Sequence, residues 1–202
     1  MTRINKNSFL ILAILFLTAM FVISACNNET QIPENPSISS DTIKEGIYLV
    51  PEEIEPGFYK IILTDYDTGM GYFVRAGDLE FINILAASTI TGDGYVEILE
   101  TDTVINFFGI EIYPIEYSQL EINLKNEVPE GIYLIGIDLS PGIYSVEITD
   151  EEVGLAYVEI STSATMSPDD IIMNKLLSEN GTITINEDDF AIKIEGGKLI
   201  KN

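Results

Sequence analysis

The side chains that most often carry enzyme chemistry are scarce in this sequence. It has no histidine and a single cysteine, Cys26, among 202 residues. Without histidine the usual general base near neutral pH and the commonest metal ligand are both missing. This excludes serine–histidine triads, cysteine–histidine pairs and the usual zinc clusters. No glycine-rich phosphate-binding motif is present. We predict that the protein is not an enzyme and holds no cofactor.

Carboxylates are abundant, with 33 Asp and Glu residues. A pair could act as acid and base in a glycoside hydrolase, and the visible candidates are Asp65, Asp93, Glu97 and Asp150. Calcium is a second possibility because it takes oxygen ligands. Three acidic segments could supply them, none with EF-hand spacing: Thr91-Gly-Asp-Gly94, Asp150-Glu-Glu152 and Asn186-Glu-Asp-Asp189. Acids this numerous favour a solvated surface, so we predict no metal site. Calcium-dependent adhesion or ligand binding stays the alternative function, and the hydrolase is less favoured.

Aromatic side chains are a third group that could bind a ligand, with ten tyrosines, nine phenylalanines and no tryptophan. Three tyrosines recur 85 residues later, which favours a role in the core: Tyr48, Tyr59 and Tyr72 match Tyr133, Tyr144 and Tyr157. Three others lack repeat partners and are predicted to lie at the surface: Tyr66, Tyr113 and Tyr117.

The first 25 residues have the pattern of a secretory signal peptide. Arg3 and Lys6 precede an apolar run from Phe9 to Ile23. The run is about 15 residues, shorter than the roughly 20 of a membrane span, so a cleaved peptide is favoured. It ends in Ile23-Ser-Ala-Cys26, which resembles the lipobox of bacterial lipoproteins. The resemblance implies that Cys26 becomes the N-terminus and carries diacylglycerol; the alternative is an ordinary signal peptide with a chance cysteine.

Charge and the expected lipid together predict where the protein resides. After cleavage 8 basic and 33 acidic residues remain, a net charge of −25, which argues against binding nucleic acid. Two acyl chains suffice for stable anchoring in a membrane. Residues 26–42 are polar, contain two prolines and predict a flexible tether. We therefore expect the extracytoplasmic face of the cell membrane. A composition rich in Ile, Asn, Lys and Glu favours a Gram-positive host.

A duplication organises the rest of the chain. Residues 45–65 and 130–150 align without gaps and agree at ten of 21 positions. Roughly one or two matches are expected from composition alone. With a small shift, residues 94–98 align with 181–185, and 105–107 with 192–194. The sequence thus predicts two modules, residues 43–117 and 118–202.

Alternation within the repeated segments predicts strands. Tyr59, Ile61 and Leu63 share one face of a strand, and residues 144–148 repeat the pattern. Pro56-Gly57 and Pro141-Gly142 predict type II turns before these strands. Ser167-Pro-Asp-Asp170 predicts one helical turn capped by Ser167. The expected fold is all-β, with two tandem small antiparallel β-sandwich or barrel-like modules after an N-terminal signal helix.

The repeated turn and the strands after it resemble a module of uncharacterised surface lipoproteins of Gram-positive bacteria. Ile54-Glu-Pro-Gly-Phe-Tyr59 and Leu139-Ser-Pro-Gly-Ile-Tyr144 carry the resemblance, while Thr182 to Ile194 match its closing strands loosely. The resemblance implies no catalytic or binding residue. The sequence as a whole predicts a membrane-anchored, non-enzymatic binding or structural protein of the cell envelope, whose partner is an unknown envelope protein or polymer.

Overall fold

The computed structural model describes residues 42–65, 69–150 and 152–202. Over these residues the chain is all-β, as predicted, with fifteen strands and two short 3-10 helical turns. The expected signal helix, Cys26, all but the last residue of the tether and Tyr66 lie outside the described residues. In the part of the chain that the structure describes, no helix is long and apolar enough to cross a membrane.

The first seven strands form two antiparallel sheets, in the orders β1-β6-β3-β4 and β5-β2-β7. We call these strands the N-terminal set. They are β1 (Gly46–Leu49), β2 (Gly57–Leu63), β3 (Gly71–Ala76), β4 (Ile84–Ile90), β5 (Gly94–Ile98), β6 (Val104–Phe108) and β7 (Ile110–Pro114). A 3-10 turn at Tyr117–Gln119 follows.

The remaining strands, the C-terminal set, pair in the same way. Their sheets have the orders β12-β11-β14-β9 and β13-β10-β15-β8. They are β8 (Glu127–Val128), β9 (Gly131–Leu134), β10 (Gly142–Ile148), β11 (Ala156–Ser161), β12 (Ile171–Leu177), β13 (Gly181–Ile185), β14 (Ala191–Glu195) and β15 (Gly197–Lys201). Corresponding strands begin 85 residues apart for the first three and 87 apart for the last four. The loop before β12 is therefore two residues longer than the loop before β4.

Each set encloses its own hydrophobic core, because alternate residues of both its sheets point inward. The predicted alternation is confirmed: Tyr59, Ile61 and Leu63 are buried, as are Tyr144 and Val146. The N-terminal core is completed by residues of the facing sheet, among them Phe73, Ile90, Ile105 and Phe107. The C-terminal core has the corresponding members Val158, Leu177, Ile192 and Ile194. The two sheets of each set thus pack as a sandwich.

A Gly-x-Tyr segment begins each of the strands β1, β2, β9 and β10. The tyrosine folds back towards the glycine, so that a Cβ added at Gly46 would lie 3.1 Å from the ring of Tyr48. The Tyr59 hydroxyl then donates to the Glu55 carbonyl at 2.7 Å, and Tyr144 makes the same bond in its own repeat. A side chain would crowd the ring at Gly46 and at Gly131, where the added Cβ would lie 3.1 and 3.3 Å from it, so glycine suits these two positions.

This arrangement replaces the predicted type II turns, which are wrong. Gly57 and Gly142 have φ values of 159° and 153° and already belong to strands, whereas a type II turn needs about +80°. Each Pro-Gly pair therefore starts a strand. By contrast the predicted helical turn is confirmed: residues 168–170 form a 3-10 turn, and the side chain of Ser167 accepts a hydrogen bond from the Asp169 N–H.

Candidate functional site

The carboxylates singled out for calcium or acid–base chemistry serve as backbone acceptors. Asp93 Oδ1 accepts the Leu63 N–H at 3.1 Å. Asp150 Oδ1 accepts the N–H groups of the two residues at 152 and 153, at 3.0 and 2.9 Å. Asp189 Oδ2 accepts the Asn186 N–H at 2.7 Å. Each of the three acidic segments thus contains a carboxylate that closes its own loop or holds a neighbouring strand.

The structure does not collect the candidate acids into one cluster. Asp65 follows β2 and Asp150 follows β10, while Asp93 and Glu97 lie just before and within β5. Among the described residues, no three acidic or cysteine side chains converge to hold a metal ion. The geometry therefore offers these acids a structural role within loops.

The predicted burial of the repeated tyrosines is confirmed for Tyr59, Tyr133 and Tyr144 and is wrong for Tyr72, which is 43% exposed. Tyr72 alternates with the buried Phe73 and so points away from the core. Its counterpart Tyr157 is half-buried, and its hydroxyl donates to Glu159 Oε2 at 2.6 Å.

Tyr117 lies at the surface, as predicted, and contacts two other aromatic rings. Its ring meets Phe58 edge-on, with centroids 5.3 Å apart, and stacks on Phe190 at 5.7 Å. Phe58 also stacks on Tyr95 at 5.8 Å. These four rings span the boundary between the two strand sets, because Phe190 precedes β14 while Phe58 and Tyr95 belong to β2 and β5. Tyr113 is half-buried.

Lys60 is half-buried close to this aromatic group. Its ammonium lies 4.0 Å from the centroid of the Tyr95 ring. Burial lowers the pKa of Lys60, although the negative charges of Asp138 and Asp93 act in the opposite direction. Burial, reinforced by the charge of Asp138, raises the pKa of Tyr95. Both effects follow from removing water around an ionisable group.

The ion pair between Arg75 and Asp102 is the most deeply buried charged feature, and sequence reasoning missed it. Nε and Nη2 of Arg75 donate to the two carboxylate oxygens of Asp102, both at 2.8 Å. Nη1 donates to the Thr165 carbonyl at 2.6 Å. Asp102 also accepts the Leu99 N–H at 2.8 Å. The pair is thus bidentate and fully buried, and the guanidinium reaches across to the C-terminal set.

A polar cleft of about 560 Å³ lies above this ion pair, with Arg75 and Asp170 among its lining residues. Asp170 accepts hydrogen bonds from the hydroxyls of Ser163 and Thr165. Burial alone would raise the pKa of Asp170, but these hydroxyls and the charge of Arg75 together hold it below its usual value. The one sequence signal for this region was Arg75 itself, a charge inside an otherwise apolar strand.

The outer face of sheet β1-β6-β3-β4 carries large apolar side chains. Cα pairing of Tyr72 with Phe108 places both on the same face, opposite the buried Phe73 and Phe107. Ile47 and Leu49 alternate with the half-buried Tyr48 and share that outer face. We call the exposed side chains of Ile47, Leu49, Tyr72 and Phe108 the outer patch; Ile47 and Phe108 are 61% and 60% exposed.

Comparisons of the chain with protein-family models, with curated proteins and with solved structures found no match.

Proposed function

We propose that this protein is an extracytoplasmic, lipid-anchored lipoprotein that binds a protein or polymer of the cell envelope without catalysing a reaction. Its two strand sets are tandem repeats of one β-sandwich module. The tandem interpretation is supported by the matching order of seven strands in each set, to which the C-terminal set adds β8, and by the separate hydrophobic core of each set. The anchoring interpretation is supported by the lipobox-like segment that ends at Cys26.

The outer patch is the observation on which the binding function rests. A sheet in a sandwich has one face in the core, and the other face is normally polar where it meets water. Here that other face presents two aliphatic and two aromatic side chains. Contiguous apolar surface of this kind on a soluble domain marks an interaction site. The numerous acidic residues outside the outer patch keep the protein soluble, and the patch remains free to bind a partner.

Lipid anchoring can be tested with Cys26→Ser. The wild-type chain should partition with the membrane and into a detergent phase, and the variant should appear in the medium, because two acyl chains account for the anchoring. Equal release of both proteins would refute a lipid on Cys26.

Binding can be tested with a photoreactive phenylalanine analogue at Phe108 of the anchored protein in its native cells. We expect a discrete crosslinked product. The same analogue at Val153, which is similarly exposed on a turn after β10, is the matched control. Identical products at both positions, or none at Phe108, would refute a specific role for the outer patch.

A further inference from the structure

The contact between the two repeats shows how one module receives another. Ile132, on the outer face of β9, is only 5% exposed because it enters the core of the N-terminal repeat. Leu134, two residues on, packs against Tyr95 of β5. The loop before β12 adds Met166, which packs on the same core, and Ala164, whose carbonyl accepts the Glu97 N–H of β5 at 2.9 Å. The C-terminal repeat therefore closes the open side of its neighbour with one strand and one loop.

The N-terminal repeat carries the corresponding strand and loop, on which three apolar side chains are exposed. Ile47 and Leu49 stand at the positions of Ile132 and Leu134, and both are exposed. Leu79, 58% exposed, stands at the position of the buried Ala164.

The correspondence of the loops extends to their backbone. Phe81 stands at the position of Met166, and these are the two non-glycine residues with positive φ in the described chain, at 55° and 58°. A positive φ is unfavourable for such side chains, so its recurrence at matching positions is a backbone feature that the two loops share, although the second loop is two residues longer and ends in a 3-10 turn. We name the surface formed by Ile47, Leu49, Leu79 and Phe81 the docking edge.

Close packing limits what this edge can receive. At the junction inside the chain, a Cβ at Gly94 would lie 2.6 Å from the Ile132 Cβ, and a Cβ at Gly92 would overlap the Glu130 carbonyl. Both glycines are therefore required for the approach of β9 to β5. An incoming module needs glycine at the same two places, followed by an apolar or aromatic residue where Tyr95 lies.

We propose that the docking edge binds the open side of another β-sandwich module of this kind, one that has glycine at the positions of Gly92 and Gly94. The inference rests on the proposed binding function and names its partner class. The contact would be heterologous, in which one end of a module meets the opposite end of the next. The apolar residues of the edge and the patch supply the hydrophobic contact area.

The C-terminal repeat does not itself satisfy this requirement. Gly181 stands at the position of Gly94, but Glu179 replaces Gly92 and Thr182 replaces Tyr95. At the junction inside the chain even a Cβ at Gly92 would overlap the Glu130 carbonyl. The larger side chain of Glu179 would therefore collide with an incoming module. It therefore prevents copies of the chain from joining end to end, as unprotected edges otherwise tend to do.

The test introduces a glycine at position 179, which corresponds to Gly92. It uses the whole mature chain, in which Cys26→Ser removes the lipid attachment site. We expect the variant Glu179→Gly/Thr182→Tyr to show at least about a twofold rise in weight-average mass by sedimentation between about 1 µM and about 1 mM. The wild-type sequence should stay monomeric over that range. Adding Ile47→Asp should abolish the association. Ile122→Asp should leave it unchanged, because Ile122 is also exposed but lies between the 3-10 turn at Tyr117–Gln119 and β8.

A second variant separates shape from charge. Glu179→Ala/Thr182→Tyr removes the glutamate charge but keeps a Cβ, and it should remain monomeric. Thermal unfolding of every variant confirms that the fold is retained. A monomeric glycine variant that unfolds normally, association that survives Ile47→Asp, or equal association of the alanine variant would overturn the proposal. Association of the wild-type sequence through Ile47 would overturn the blocking role of Glu179 and identify a second copy as the occupant. None of these results bears on lipid anchoring or on the crosslinks from Phe108.

Discussion

The buried Arg75–Asp102 pair allows a quantitative test because the chain contains its own control. Asp189 occupies the equivalent turn of the second repeat and accepts the Asn186 N–H, much as Asp102 accepts the Leu99 N–H. No arginine accompanies Asp189, since Ile160 stands where the first repeat has Arg75. The substitutions Asp102→Asn and Asp189→Asn therefore change the same turn with and without a buried cation.

The two variants should lose very different amounts of stability. In Asp102→Asn the guanidinium stays fully buried with its countercharge removed, and breaking one partner of a buried ion pair costs about 3–5 kcal/mol. In Asp189→Asn the amide oxygen can still accept the backbone N–H and no buried cation is left unpaired, so the loss should not exceed the ~1 kcal/mol typical of one hydrogen bond. Adding Arg75→Met to Asp102→Asn should recover part of the larger loss, because no uncompensated charge then remains.

Urea unfolding at neutral pH, followed by tyrosine fluorescence, measures these differences. The free energy of unfolding of each variant is compared with that of wild type. The comparison requires that the slope of this free energy against urea concentration is the same in both proteins. Similar losses for Asp102→Asn and Asp189→Asn would show that Arg75 adds nothing beyond the turn. A further loss on adding Arg75→Met would show that the arginine stabilises the fold by its own packing rather than by its charge.

Three further predictions concern ions, pH and a hydroxyl group. Calcium and magnesium at matched ionic strength should raise the unfolding temperature equally, because they screen the net charge of −23 rather than fill a site; a calcium-specific shift in thermal unfolding would contradict this. Burial raises the pKa values of Tyr95 and Tyr133, so the folded state keeps protons that the unfolded state releases near pH 10. The contribution of these tyrosines to stability should therefore be constant below that pH and fall above it. Absorbance titration of tyrosinate in native and urea-unfolded protein checks this, and superimposable curves would disprove it. Tyr144→Phe should cost about 0.5–1.5 kcal/mol, since the hydroxyl donates to Ser140 at 2.7 Å; calorimetry measures it, and an unchanged unfolding temperature would argue that water satisfies the carbonyl equally well.

The strands could be predicted because their signal is local. Alternation over five to seven residues fixes which side chains face inward, and Ile183 and Ile185 between exposed threonines are a clear example. The repeat strengthened that signal by presenting each pattern twice. The type II turns could not be excluded in the same way, because the Pro-Gly pair is equally compatible with a strand start. The hydrogen bond from the Tyr59 hydroxyl to the Glu55 carbonyl favours the strand start over the type II turn.

The residues at the junction could not be predicted because their partners are distant in sequence. Arg75 meets Asp102 across 27 residues and Thr165 across 90. No spacing rule connects such positions, and a buried arginine looks like any other charge in a list of residue types. Composition favoured a solvated surface for the numerous acids, but it could not show that Asp93, Asp150 and Asp189 accept backbone N–H groups.

Duplication also explains why sequence identity alone misjudges burial here. Ile47 and Ile132 lie in the identical segment Glu-Gly-Ile-Tyr-Leu, on equivalent strands with equivalent pairing. One is 61% exposed and the other 5%. The difference arises because Ile132 packs into the core of the N-terminal set, whereas Ile47 belongs to none of the hydrophobic cores of the described residues. Ile132 therefore gains much more hydrophobic stabilisation from the fold than Ile47 does, although the two residues occupy the same place in the repeated segment.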